Sequence, residues 1–236
     1  MGEWNAIRAW LDRTASEPLE DMAGFFDRRT DTYEDHMRPW QAYYRWLGEL
    51  IPPEAETLLD LGCGTGLELD EIFRLRPALQ VTGIDLAAGM LARLQEKHGE
   101  RRLTLVAGDY RTVPLPACAF DAAVAFETLH HFTPETKLMI FRRIFAALRP
   151  GGVLLEGDYV AESDEMETGL FEELARRRAR QQVSADTLVH FDTPLTLPHE
   201  LALLHQAGFE TEVLGCRGES NTPMIRAIKP ETVKGA

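Results

Sequence analysis

The residues with most chemical potential begin at Asp60-Leu61-Gly62-Cys63-Gly64-Thr65-Gly66, where an apolar run ends in an acid followed by alternating glycines. This is the pattern of a buried strand that hands its backbone to a ligand. Glycine tolerates positive φ and, having no Cβ, lets a bulky group lie against the main chain. The helical pattern over 67–75 aims its free N–H groups and positive dipole end at the same place. Asp85 closes a second apolar run, about twenty residues past the turn, which is the spacing at which a carboxylate meets ribose hydroxyls. Gly108-Asp109-Tyr110 ends a third run, where an acid can accept from an adenine amino group. Phe126-Glu127-Thr128-Leu129-His130-His131-Phe132 follows a fourth. There His130, His131 and Glu127 are candidates to take a proton from a substrate hydroxyl or amine, histidine because it titrates near working pH.

Other chemistries fit less well. The dinucleotide fingerprint asks for a glycine three positions beyond the second, and Leu67 stands there. The turn also lacks the Lys-Ser/Thr ending of a phosphate-gripping loop. Cys63, Cys118 and Cys216 are sparse and unpaired in spacing, so neither a disulfide framework nor a zinc site is expected. Cys63 has no activating base beside it and reads as a small apolar residue packed in the turn. The histidines are dispersed without metal spacing and no acidic cluster suits magnesium, so no metal is expected.

These residues need elements to position them. Strands over 58–61, 81–85, 103–107, 122–126 and 153–156 alternate with helical patterns, which implies a mainly parallel α/β sheet covered on both faces. Right-handed crossovers then bring the strand C-terminal ends to one edge, where ligands of open sheets bind. Arg149-Pro150-Gly151-Gly152 reads as the turn before the fifth strand, and the last two strands are expected over 211–214 and 224–228. Trp4, Ile7, Trp10 and Leu11 share a face of a short N-terminal helix that serves as lid or brace. A second helical stretch carries Trp40, Tyr43 or Tyr44, Leu47 and Ile51, and Pro52-Pro53 ends it. Residues 159–197 interrupt the alternation with a helix over 164–182 and the loop Val189-His190-Phe191-Asp192-Thr193-Pro194. That helix either packs on the domain through Met166, Leu170 and Leu174 or covers the substrate, and His190, Asp192 and Thr193 either line a substrate mouth or make turns.

The chain of 236 residues suits a single domain, 1–236, divided into an N-terminal helical cap (1–52), a cofactor-binding half (53–158), the helical insertion or lid (159–197) and the C-terminal part of the sheet (198–236). A net charge of -13 disfavours phosphate-backbone partners, so a small molecule is the expected partner, with DNA not expected and RNA disfavoured. The N-terminus lacks signal-peptide character and no apolar run is long enough to span a bilayer, which suits the cytoplasm without a membrane partner. A monomer or homodimer is expected.

With these motifs in place, the sequence resembles the class I S-adenosylmethionine-dependent methyltransferases, of the small-molecule-type bacterial branch, from about Leu58 to the final strand. Asp60 to Gly66 is similar to that family's first motif, Asp85 to its ribose acid, Asp109 to its adenine-side acid, and Leu148-Arg149-Pro150-Gly151-Gly152 to the turn before its fifth strand. The resemblance implies a Rossmann-like seven-stranded sheet of order 3-2-1-4-5-7-6 with strand 7 antiparallel. It implies S-adenosyl-L-methionine as cofactor and S-adenosyl-L-homocysteine as product. It also implies a cofactor site of Asp60, Leu61, Gly62, Cys63, Gly64, Gly66, Asp85, Leu86, Met90, Gly108, Asp109, Tyr110, Phe126 and Glu127. In similar enzymes the N-terminal segment carrying Tyr33, His36 and Tyr43 folds over the cofactor, so Tyr33, His36 and His130 are candidate substrate contacts. The acceptor is an oxygen, nitrogen, sulfur or carbon nucleophile aligned with the S–CH3 bond. Phe126-Glu127-Thr128-Leu129 stands where members acting on base amino groups carry Asn or Asp-Pro-Pro-aromatic. An RNA-modifying enzyme and a cofactor-binding scaffold without turnover are the alternative readings.

Overall fold

The structure is a computed structural model that describes residues 3–218 and 220–231. The apolar runs form β1 (Thr57–Leu61), β2 (Gln80–Asp85), β3 (Leu103–Ala107), β4 (Phe120–Phe126), β5 (Leu148–Gly157), β6 (Glu210–Gly215) and β7 (Met224–Ile228). They make one sheet in the order β3-β2-β1-β4-β5-β7-β6. β1 to β5 pair in parallel, and β7 runs antiparallel to both β5 and β6. The expected topology is therefore the observed one.

Helices cover both faces, as unbroken apolar strands demand. On one side Leu59, Leu61 and Leu154 meet Ile140, Phe141 and Ile144 of α7 (Pro134–Ala147) and Leu203 and Leu204 of α9 (Leu197–Ala207). On the other, Leu58, Val81 and Leu155 meet Tyr44 and Leu47 of α4 (Gln41–Leu50), Ile72 and Phe73 of α5 (Leu67–Leu75) and Leu94 of α6 (Ala88–His98). Helix starts are set locally: Thr133 accepts from the Thr136 N–H with Pro134 in the first turn, a combination that satisfies free amides and presets φ.

β5 differs from expectation at its start. It begins at Leu148, paired with Phe120, and the register shifts before Ala122 pairs with Val153. Arg149-Pro150-Gly151-Gly152 is thus an irregularity inside the strand rather than a turn ahead of it. Gly151, at φ 77, supplies the bend.

Before β1 lie α1 (Glu3–Arg13), α2 (Met22–Asp27), α3 (Thr30–His36), a 3-10 turn (Arg38–Trp40) and α4. α1 packs on α8 (Asp164–Gln181) through Leu11, Met166 and Leu170, and Arg177 of α8 donates to the Leu11 carbonyl and Thr14 hydroxyl at 3.1 and 3.0 Å. Trp10 is 48% exposed, so it does not join Leu11 on the packed face as its spacing suggested. α2 and α3 lie across the strand C-terminal edge, held to α6 by Asp27 accepting from the Gly89 N–H and Glu34 pairing with Lys97. Among the described residues no helix is long and apolar enough to cross a membrane.

Candidate active site

The glycine turn is fixed by its neighbours in space. Gly62 and Gly64 take positive φ of 70 and 48, which lets the chain reverse between β1 and α5. The Gly62 N–H donates to Ile84 O at 2.8 Å and the Gly64 N–H to Asp85 Oδ2 at 2.9 Å. The other Asp85 oxygen accepts from the Ala87 N–H at 2.8 Å, so one carboxylate ties the turn after β1 to the turn after β2. Burial raises the Asp85 pKa, and these backbone donors partly offset it. A Cβ on Gly62 would lie 2.2 Å from Thr128 Oγ1, whereas one on Gly64 would meet only the Tyr33 ring at 3.7 Å. The main chain at Gly64 is therefore a cradle covered by the Tyr33 ring.

Behind the turn, Asp60 and Glu68 are buried against each other. Burial and the neighbouring Glu68 lift Asp60 well above the usual carboxylate range. Burial likewise pushes Glu68 up to about 7, opposed by its own backbone N–H, Asp60 and Lys97. Two carboxyls at such close quarters hold a proton between them. Burial also pushes the Cys63 thiol up, which makes it an inert packing group.

A cavity opens from the cradle. Gly62, Gly64 and Asp85 form its floor, and Leu86, Met90, Tyr110, Phe132 and Leu188 its apolar walls. Met22, Phe26 and Tyr33 roof it, with Glu127, Thr128 and His131 at the far end. Its free volume is about 50 Å³, small beside the roughly 300–1,000 Å³ of ligand sites, because Tyr33 and Thr128 sit against the glycines.

Several expected cofactor residues stand outside this cavity. Asp60, Leu61 and Cys63 are buried behind it, and Gly66, at φ 74, caps α5. Gly108 is likewise off its lining. The Asp109 carboxylate is engaged by the Arg111 guanidinium at 2.6 Å and by the Arg111 N–H at 2.8 Å. Phe126 faces the opposite side of the sheet, its ring 5.4 Å from Tyr43 and 5.5 Å from Tyr44, because successive strand residues alternate in direction. Tyr43 is core as well, its hydroxyl donating to Thr222 O at 2.6 Å.

A larger cleft of about 840 Å³ adjoins the cavity. Phe26, Tyr33, Glu127 and His131 line both spaces. His36 stands exposed at the cleft rim, with Trp40 and Tyr159 along its sides. Phe25 and His190 stack at 3.4 Å between ring centroids, with the Arg29 guanidinium over the Phe25 ring at 3.6 Å. Glu127, at φ 49, is clamped by donors from the Trp40 indole at 3.2 Å and the Thr222 hydroxyl at 2.7 Å. Burial raises its pKa, with His130 opposing.

The paired histidines differ in state. His130 Nδ1 lies 2.6 Å from Asp158 Oδ1. Burial alone would lower its pKa, but Asp158, Asp192 and Glu127 more than offset this and lift it to about 9. His131 goes down, through burial and the adjacent His130 charge. Near neutral pH the first is an imidazolium and the second a neutral ring. Burial opposes ionisation of Asp192, yet the histidines around it hold its carboxyl well below the usual range.

Asp158, Tyr159, Thr128 and Arg29 are site residues that sequence reasoning did not single out. Asp158 and Tyr159 stand just past the end of β5, so the rule that strand ends carry ligands, applied to that strand as it was to the first four, would have found them. Thr128 and Arg29 carry no comparable local signal.

Residues 58–152 match a family described as a methyltransferase domain. Carboxy-S-adenosyl-L-methionine synthase from Chromohalobacter salexigens is 31% identical over 224 residues, which cover 85% of this chain and 82% of that protein. Human N-acetylserotonin methyltransferase, solved in complex with SAM, superposes with a TM-score of 0.63 at 18% identity over 88% of this chain and 56% of its own. An O-methyltransferase family protein from Burkholderia thailandensis gives a TM-score of 0.63 at 17% identity, over 86% and 60%. The chain spans less than two thirds of either structure, and at these identities the likeness is one of fold.

Proposed function

Because the chain belongs to the class I S-adenosylmethionine-dependent methyltransferases, we propose that it transfers the methyl group of that cofactor to a small-molecule acceptor held in the aromatic cleft. The observation that carries this reading is the wall of Phe26, Tyr33, Glu127 and His131, shared by the cavity and the cleft. A donor on one side and an acceptor on the other meet there, and alignment is the main catalytic contribution asked of the protein.

The residues present suit the cofactor. Asp85 would accept from the ribose hydroxyls, and the main chain at Gly64 would hold the amino-acid portion. Leu86, Met90, Tyr110 and Phe132 line the apolar side of the cavity and would hold the adenine. Asp60, Leu61, Cys63, Gly66, Gly108 and Phe126 frame the site without lining it. When bound, the cofactor supplies an electrophilic methyl on a sulfonium. The acceptor's proton, where it has one, is received by Glu127 or by the neutral ring of His131, while His130 already holds its proton. The Phe25–His190 stack, Trp40 and Tyr159 favour a flat or largely apolar acceptor. The names of the synthase and of the human enzyme denote small-molecule chemistry, which supports that class. A net charge of -13 speaks against a polyanionic acceptor such as RNA.

Calorimetric titration with S-adenosylmethionine and S-adenosylhomocysteine tests the cofactor part, with binding of both expected. Absence of heat at near-millimolar ligand would overturn it. Transfer of labelled methyl to a metabolite extract tests the acceptor part. Cofactor binding without transfer to any fraction would favour a scaffold instead.

A further inference from the structure

The cleft wall brings together donors that the sequence keeps apart. His130 Nε2 lies 3.6 Å from Asp192 Oδ1, and His131 Nδ1 lies 3.2 Å from that same oxygen. The three donor atoms all fall within 4.8 Å of one another, and the three residues line the cleft. Ligands about 2.1 Å from a common ion sit about 3.0 Å apart at right angles and about 3.4 Å apart at tetrahedral angles, so the two measured spacings suit shared coordination.

Two further features prepare these donors. The Asp158 carboxylate holds a proton on His130 Nδ1, as the outer carboxylate of a metal-bound histidine does, so an incoming ion displaces the proton on Nε2, 3.6 Å from Asp192. Asp158 is in turn 3.6 Å from Lys137, whose ammonium is bonded to Glu200 at 2.7 Å, so the support is buried and cross-braced. The loop carrying Asp192 is tied to the histidine segment, since the N–H and hydroxyl of Thr193 both donate to the His130 carbonyl.

From this geometry we infer that His130, His131 and Asp192 form a binding site for a divalent transition-metal ion, open on the cleft side. Two imidazoles and one carboxylate select zinc, cobalt, nickel or iron(II) over magnesium and calcium, which favour all-oxygen sites. An ion there faces the acceptor. A hydroxyl coordinated to it displaces a bound water and releases its proton more readily. That catalytic use rests on the methyl-transfer reading above; the binding of the ion does not.

The test uses the full chain after dialysis against chelator, titrated with zinc chloride by calorimetry. One ion per chain is expected, with affinity falling at least about tenfold in Asp192→Ala and in His131→Ala, and about 10–100-fold in Asp158→Asn. Asp164, Glu167 and His199 form a separate group at the surface, and His199→Ala should leave binding intact. Cobalt(II) added to the unmutated chain should give visible d–d bands of a nitrogen–oxygen site, a readout that needs no variant to fold. No saturable zinc binding, or binding lost in His199→Ala and kept in Asp192→Ala, would overturn the site and leave a plain ion pair. Titration with S-adenosylmethionine on the same sample separates the two readings: cofactor binding without zinc binding removes the metal site alone.

Discussion

Asp85 accepts from two backbone amides on separate turns, and it is the group proposed above to meet the ribose. Replacing it by Ala should weaken S-adenosylmethionine binding by about 1–3 kcal/mol, the range for losing bonds to a charged partner. Calorimetry reads this directly, and an unchanged affinity would break the assignment. Glu68 makes a prediction in pH. Its pKa stands at about 7 in the fold against an ordinary 4.5, so folding favours its neutral form. The stability it contributes is complete below about 4.5 and is lost as pH rises through about 7. Glu68→Gln, always neutral, should remove that part of the slope. Urea unfolding at pH 5 and pH 8 should show the unmutated protein losing more stability than the variant, by on the order of a few kcal/mol. Equal slopes would mean that Glu68 does not carry the proton.

At the scale of elements, α2 and α3 decide access. Met22 and Phe26 of α2 and Tyr33 of α3 roof a cavity with about 50 Å³ free, so a cofactor of several hundred Å³ enters only if this segment shifts. Its attachments suit such a shift: α2 is 6 residues and α3 is 7, and no residue of α3 is buried. Local opening of weakly packed elements is expected to be low in free energy. Hydrogen exchange should therefore be fast over residues 22–36 without cofactor and slowed on adding S-adenosylhomocysteine, while β1 and β4 stay protected throughout. Slow exchange over 22–36 in both states would show a rigid roof and a different entry path.

Across the whole molecule, binding to the folded state alone raises stability by mass action. S-adenosylmethionine at a hundred times its dissociation constant should add about 2.7 kcal/mol, read as a higher unfolding temperature. The alternation of strands and helices and the turn at Gly62 and Gly64 were legible in the sequence, because apolar runs, glycine spacing and the acids at 60 and 85 are local signals tied to backbone geometry, whereas the strand order came from the family resemblance. Tyr33, Glu127, His131, His190 and Asp192 were legible as candidates, since each follows a strand end or stands on a covering segment. Their joint arrangement was not. The Trp10 exposure and the bulge that absorbs Pro150 to Gly152 depend on neighbours far along the chain, which no local pattern encodes. The engagement of Asp109 by Arg111, two residues on, and the turning of Phe126 into the opposite core by strand alternation are local and stood open to sequence reading. The sequence by itself determined the strands, the helices between them and the glycine turn, since these rest on local spacing and backbone geometry. Only the tertiary structure decided which side chains share a wall and that His130, His131 and Asp192 converge. Those donors lie about sixty positions apart and meet because the loop after α8 closes over the end of β4.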